Sequence, residues 1–266
     1  MDSLRNLVRF GTSSWAYEGW RGLVYHRAYH KSRFSQDTLA EYAAHPLRDE
    51  EPPFFRTVGI DHSFYHPADA AQLAHYAAQV PADFHFCQKV WDDITVPTYA
   101  NLPRYGSKAG KSNPHFLDAA VFRESVLDPS IAGLGDRLGP FIFEFQRWGI
   151  EPPAFFDRLD RFLRQLPPGP LYGVEIRNPA LLGRHYGDIL RAHNVTHIYN
   201  HWTAMPPLGY QHQVLDRRFT TSFAVLRLLT PLGLPYENAV ARYKPYNRIV
   251  QEQPRMKQDT VALINQ

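Results

Sequence analysis

Polar and charged side chains stand directly after seven short apolar runs, and their types suit acid–base chemistry on a small polar molecule. Thr12, Ser13 and Trp15 follow the first run, Asp61 and Ser63 the second, and Lys89 the third. Glu144 follows the fourth, Glu175 and Arg177 the fifth, Asn200 and His201 the sixth, and Arg227 the seventh. A carboxylate can give or take a proton when its surroundings bring its pKa near the working pH, and Lys or Arg can hold developing negative charge. On this reading Glu175 is the acid or base, with Lys89 and Arg177 as electrostatic clamps. Lys89, Arg177 and Arg227 together suit a phosphate or carboxylate group. Side chains alternate along a strand, so Glu175 and Arg177 share a face, as do Asp61, Ser63 and Tyr65. The competing reading of Glu175 with Arg177 is a structural ion pair at the rim.

Glu144 and Glu175 end neighbouring runs, and adjacent strands lie roughly 4.8 Å apart, within the range of the paired carboxylates of retaining glycosidases. That makes Glu144 a candidate catalytic partner, although Arg177 or Lys89 can neutralise either acid. Aromatic rings gather near the first two exits, and Trp15, Tyr17, Trp20 and Tyr65 are candidate substrate contacts beside Phe64 and Tyr25. Such rings suit stacking on a sugar or a base, while core packing accounts for some of them.

Other chemistries fit less well. Gly106-Ser-Lys-Ala-Gly110-Lys111-Ser112 resembles a phosphate-binding loop, but its glycine spacing is one residue short and no apolar strand leads into it. Gly133-Leu-Gly135-Asp-Arg-Leu-Gly139 misses the dinucleotide fingerprint by one residue and precedes an apolar run instead of following one. A dinucleotide cofactor site is thus disfavoured, and the cofactor is left open. The pairs His26/His30, His62/His66 and His197/His201 lack the helical context and companions of a metal motif. A metal-dependent phosphoesterase built on His201, Asp61, Glu144 and Glu175 ranks last. A nucleic-acid or nucleotide binding module using Arg104, Lys108, Lys111 and the aromatic rim is a second alternative.

The elements that must position these residues follow from period. The runs 7–10, 57–60, 84–87, 141–143, 171–174, 196–199 and 223–226 are short and nearly all apolar, as buried parallel strands are. Helical patterns lie between them at 35–44, 68–79, 153–166, 179–193, 236–243 and from about 254. Asn178 before Pro179 reads as a helix cap. Alternation of this kind predicts an α/β fold, a TIM-type (β/α) barrel, in which the residues after the strands converge on one face. The segment at about 90–138 is too long for an ordinary connection and reads as an insertion or a lid. Composition supports one domain over 1–266, with 44% hydrophobic and 21% charged residues. Cys87 is the single cysteine, so no internal disulfide forms, and the start Met1-Asp2-Ser3-Leu4-Arg5 lacks an apolar leader, which points to the cytoplasm. No apolar run has the length to span a bilayer, and the net charge of +3 falls short of a nucleic-acid-binding signature.

Several segments taken together resemble the YecE-like family, domain of unknown function 72. They are Gly11-Thr-Ser-Ser-Trp15-Ala-Tyr17-Glu-Gly-Trp20-Arg21-Gly22, Val58-Gly-Ile-Asp61-His-Ser63-Phe64-Tyr65 and Phe86-Cys-Gln-Lys89-Val. Leu138-Gly139-Pro140-Phe-Ile-Phe-Glu144-Phe145, Tyr172-Gly-Val-Glu175-Ile-Arg177-Asn178-Pro179 and Val225-Leu-Arg227-Leu228 follow in the same order. The resemblance implies a TIM barrel akin to sugar isomerases and endonuclease-type barrels, with no established reaction. It carries over Trp15, Tyr65, Lys89, Glu175, Arg177 and Arg227 as pocket lining. Glu144 stands where many members carry a glutamine. Related sequences continue into a last strand, whereas this chain ends at Gln266 in a helical pattern, so seven strands are expected and the eighth is missing, removed or supplied by a partner chain. The leading expectation is an enzyme acting on a small anionic or polyol substrate.

Overall fold

The computed structural model describes residues 7–48 and 51–266, so the start Met1-Asp2-Ser3-Leu4-Arg5 considered above lies outside the described residues. Seven parallel strands form one curled sheet in sequential order: β1 (Phe10–Thr12), β2 (Phe55–Ile60), β3 (His85–Lys89), β4 (Leu138–Phe145), β5 (Tyr172–Ile176), β6 (Thr196–His201) and β7 (Val225–Leu228). Neighbours in the sequence are neighbours in the sheet, the arrangement that repeated β-α units generate. The result is a TIM-type α/β barrel lacking one strand among the described residues, with β1 and β7 as its two edges.

Helices cover the outside. They are α1 (Leu39–Ala44), α2 (Ala70–Ala77), α3 (119–134), α4 (Pro152–Gln165), α5 (Arg184–Ala192), α6 (Leu208–Val214), α7 (Tyr236–Tyr243) and α8 (Pro254–Ile264). α4 shows how sequence builds this layer. Pro152 fills a first-turn position where no amide hydrogen is required, and Phe155, Leu159, Phe162 and Leu163 form one buried stripe. Each such side chain contributes roughly 2 kcal/mol on burial. The stripe packs on Phe143, Phe145 and Tyr172, which point outward from β4 and β5. A second outer cluster joins Val58, Ile60 and Phe86 to Leu39, Tyr42, Leu73 and Tyr76. α8 folds back onto α6, where Leu263 meets Leu208 and Tyr199 and the Gly209 amide donates to Asp259 Oδ2 at 3.1 Å.

Two expected helices are interrupted. The one expected at 35–44 breaks at Thr38, whose hydroxyl donates to the Phe34 carbonyl at 2.6 Å. The one expected at 179–193 becomes a 3-10 turn at Pro179–Leu181 followed by α5. Asn178 caps that turn as expected, accepting from the Ala180 amide at 3.0 Å.

The long 90–138 segment is pinned by two buried acids. Asp93 accepts from Tyr99 and meets Lys108 at 3.4 Å and His115 Nδ1 at 2.9 Å, while Asp92 accepts from Tyr105 at 2.6 Å. Burial raises the Asp93 carboxyl's pKa, but the bonds from Tyr99, His115 and Lys108 outweigh it and hold the group below its ordinary value. α3 then packs across α2 so closely that a Cβ on Gly133 would lie 2.5 Å from Leu73 Cβ. Among the described residues no helix is long and apolar enough to cross a membrane.

Candidate functional site

Alternation on the strands sends Lys89, Glu144, Glu175 and Arg227 inward at the C-terminal ends, while their neighbours Val90, Phe143, Phe145, Val174 and Ile176 face the outer core. Register places Glu144 beside Glu175 and Asn200 beside Arg227. β1 approaches β2 closely here: a Cβ on Gly59 would sit 2.6 Å from the Ser13 carbonyl oxygen, so only glycine lets the loop after β1 close over the end of β2.

Six of the expected residues meet in one charge network. Glu144 Oε2 receives Arg177 Nη2 at 2.6 Å, Lys89 Nζ at 2.8 Å and Arg227 Nη1 at 3.1 Å. Glu144 Oε1 accepts from Gln146 Nε2 at 2.6 Å. Glu175 Oε1 accepts from Arg177 Nε at 3.0 Å, and its Oε2 accepts from Arg227 Nη1. Arg227 Nη2 reaches Asp61 at 3.3 Å to Oδ1 and 3.5 Å to Oδ2. Three carboxylates thus balance three cations, so the anion attraction expected of Lys89, Arg177 and Arg227 is met inside the protein.

The three acids are not equivalent. Glu144 and Glu175 are buried, with both oxygens of each occupied. Burial pushes the Glu144 pKa up, but Arg177, Lys89 and Arg227 overcome it and hold the carboxyl ionised, well below its ordinary value. The Asp61 side chain keeps 33% of its surface exposed, and its hydrogen bonds and ion pairs among the described residues are the longer ones to Arg227. Burial raises its pKa, and the pull of Arg227 and Lys89 does not offset this, partly because Glu144 and Glu175 push the same way as burial. Environment therefore separates Asp61 from its neighbours, the arrangement that divides acid and base roles among carboxyl groups.

Around the network lie further polar and aromatic groups. Asn200 is fully buried on β6, its Nδ2 donates to the Ile176 carbonyl at 2.9 Å, and its Oδ1 has no partner among the described residues. A buried carbonyl oxygen without a donor costs roughly 1–3 kcal/mol. The Tyr17 hydroxyl, with its pKa raised mainly by burial, bonds to the Ser13 side chain and senses the charge of Asp61. Tyr17 also packs against Trp20 with ring centroids 4.6 Å apart and the planes tilted by 41°, and meets Tyr246 edge-on at 5.6 Å.

Other expected contacts sit apart from this center. Trp15 is buried in the outer core, its ring against Tyr76 and its Nε1 donating to the Ser35 carbonyl at 2.7 Å. Thr12 is bound to Tyr42 at 2.9 Å, and the Ser63 hydroxyl is turned to the Ile60 carbonyl at 2.6 Å. His201 follows Asn200 on the opposite face of β6 and meets the Thr230 carbonyl at 2.9 Å through Nδ1. It therefore does not join Asp61, Glu144 and Glu175, whose common center is filled by the Arg227 guanidinium. Tyr65 is half-exposed, with Arg104 over its ring at 5.0 Å. Arg104 and Lys108 face Asp92 and Asp93, so two of the three loop cations considered for nucleic acid already have acidic partners.

Gln146 and Trp202 had not been singled out, and Phe64 had been named only as one of the aromatic rings near the first two exits. Gln146 lies two positions beyond Glu144, the same step that links Glu175 to Arg177, and that parity was the signal for it. Phe64 lies under Lys89 Nζ at 4.0 Å, and Trp202 under Arg177 at 4.8 Å, cation–π contacts that spacing does not announce.

Known proteins with this architecture are distant in sequence. A DUF72 family protein from Enterococcus faecalis V583 superposes with a TM-score of 0.64 at 14% identity, covering 97% of this chain and 85% of that one. One from Thermotoga maritima MSB8 gives a TM-score of 0.62 at 19% identity, covering 97% and 88%. Identity this low supports likeness of fold alone. No curated protein matches. The family model described as "Protein of unknown function DUF72" matches residues 9–266, and the chain belongs to that family.

Proposed function

We propose that the strand-end site is an active site performing acid–base chemistry on a small polyhydroxylated substrate, with Asp61 as the proton-transfer group. The carrying observation is the split among the carboxyls: Asp61 is partly exposed with a raised pKa, while Glu144 and Glu175 have every oxygen committed. Glu144 and Glu175 fix Lys89, Arg177 and Arg227 in place, and the assignment of Glu175 as acid or base gives way to Asp61. A network of balanced charge favours a neutral hydroxyl-rich group over a second anion at its center. The Tyr17 and Trp20 rings offer a face for a sugar ring. Arg227 steadies the charge on Asp61 as the proton leaves.

The test incubates the purified protein with pools of polyols, aldoses, ketoses and their phosphates, followed by NMR for consumption or solvent deuterium exchange. Turnover that falls about 100-fold or more in Asp61→Asn supports the reading. No consumption, or equal turnover in Asp61→Asn, overturns it.

A further inference from the structure

The end of α7 and the chain after it turn back against the segment following β1, where Tyr246 meets Trp20 and Tyr17, and form a cleft of about 280 Å³ lined by Arg242, Lys244, Asn247 and Arg248 together with Tyr243, Pro245 and Val250. Lys89, Arg177 and Arg227 each face a carboxylate, but Arg242, Lys244 and Arg248 have no acidic partner among the described residues. The nearby Glu252 is taken by Lys257. Tyr246, between the lining residues Pro245 and Asn247, links the cleft toward the site: the Trp20 indole donates to the Tyr246 carbonyl at 2.9 Å, Tyr246 meets Tyr17 at 5.6 Å, and Tyr17 lies within electrostatic range of Asp61. Three uncompensated cations and an amide side chain thus line a concave surface separated from the proton-transfer group by two aromatic residues, Tyr246 and Tyr17.

We propose that this cleft is the subsite for a phosphate group on the substrate, whose hydroxylated part lies over Asp61. The assignment of the hydroxylated part rests on the function proposed above, while phosphate capture by the cleft stands independently. Two guanidinium groups and an ammonium match a phosphate's several acceptor oxygens, since Arg presents paired donors and Lys a compact charge. The division of labour is physical: the inner network has no spare charge for an anion, and the rim has spare charge without an acid or base. Binding energy gained at the rim would orient the reacting end without taking part in the chemistry.

The experiment titrates inorganic phosphate and then pyrophosphate into the full chain, with backbone amide NMR shifts as the readout. Wild-type protein is compared with the Arg242→Gln/Lys244→Gln/Arg248→Gln variant, with Arg248→Lys and with Asp61→Asn. Saturable shifts across 242–250 are expected, weakened about tenfold or more in the triple variant, retained in Arg248→Lys and unchanged in Asp61→Asn. Retention in Asp61→Asn separates this site from the acid–base reading, because loss of turnover with intact phosphate binding touches only the latter. Absence of saturable shifts at 242–250, or equal binding by a folded triple variant, overturns the proposal. So does an affinity for single-stranded oligonucleotides that climbs steeply with length above that of mononucleotides, which would assign the cleft to nucleic acid.

Discussion

Replacing Arg227 with methionine keeps an unbranched apolar stem and removes the one cation that touches all three acids. The guanidinium lies 3.1 Å from Glu144, 3.3 Å from Asp61 and in direct contact with Glu175. At an effective dielectric of about 20, one pair at ~4 Å is worth about 4 kcal/mol before the cost of removing the charges from water. That cost cancels much of the sum, and breaking a buried ion pair from one side leaves a net loss of roughly 3–5 kcal/mol. Three carboxylates then face two cations. For a chain near this size each kcal/mol lowers Tm by roughly 2–4 °C, so a fall of about 10 °C is expected. The loss should also depend on pH. Without Arg227 the carboxyls of Glu144 and Asp61 lose a charge that lowers both pKa values, so they take up protons more readily in the folded state. The variant's deficit is therefore largest near neutrality and shrinks as the pH falls toward the carboxylate range. Urea unfolding of both proteins across pH 4 to 8 measures it. A deficit under about 1 kcal/mol, or one that does not change with pH, would refute the account of Arg227 as the shared counter-charge.

Two further outcomes follow from buried groups outside that network. His197 bonds to Tyr186 through Nδ1 at 3.1 Å and to Gln211 through Nε2 at 3.2 Å, and burial lowers its pKa to about 4 against the partial opposition of the Gln211 bond. The unfolded chain protonates this residue near 6.5 and the folded chain does not, so stability falls as the pH drops from 6.5 to about 4, by about 2 kcal/mol at pH 5. Urea midpoints should follow that slope, and His197→Gln should flatten it; an unchanged slope would remove His197 as its source. Asp93→Asn should weaken the charged bonds that hold the 90–138 segment and raise amide hydrogen exchange at 97–115 by tenfold or more, with exchange in β4 and β5 unaffected. Equal protection would show that the loop is held by its other contacts.

The number and order of the strands were legible because each carries a short apolar core, but their lengths were not. β4 runs to Phe145 where an end near 143 was expected, β5 to Ile176 and β6 to His201. An apolar run stops where inward positions turn polar, whereas the strand continues because its outward positions remain apolar: Glu144 lies between Phe143 and Phe145, and Glu175 between Val174 and Ile176. The polar exits were therefore readable as one converging set even while their strands were cut short. At β1 the expected run 7–10 gives way to Phe10–Thr12, since Phe10 is half-exposed at an edge and the pairing with β2 begins only there. The convergence of six charged side chains was largely visible, and its balance was not. Spacing marks Lys89, Arg177 and Arg227 as cations near acids, but which oxygen meets which guanidinium depends on side-chain geometry across four strands. For the same reason Asp61 could not be told apart from Glu175, because its partial exposure and raised pKa arise from the three-dimensional setting. Trp15 lies in the outer core, a place sequence does not distinguish from a pocket rim, because an aromatic ring after a strand serves both equally well.

The central claim is that Asp61 is the acid–base group of a charge-balanced site. Carbon-13 NMR of the side-chain carboxyls, with Asp61 assigned by comparison to Asp61→Asn, tests it directly. The account predicts an Asp61 carboxyl that titrates above the ordinary aspartate value while the Glu144 carboxyl stays ionised to far lower pH. An Asp61 that titrates at or below the ordinary value, or a Glu144 that titrates above it, would contradict the account.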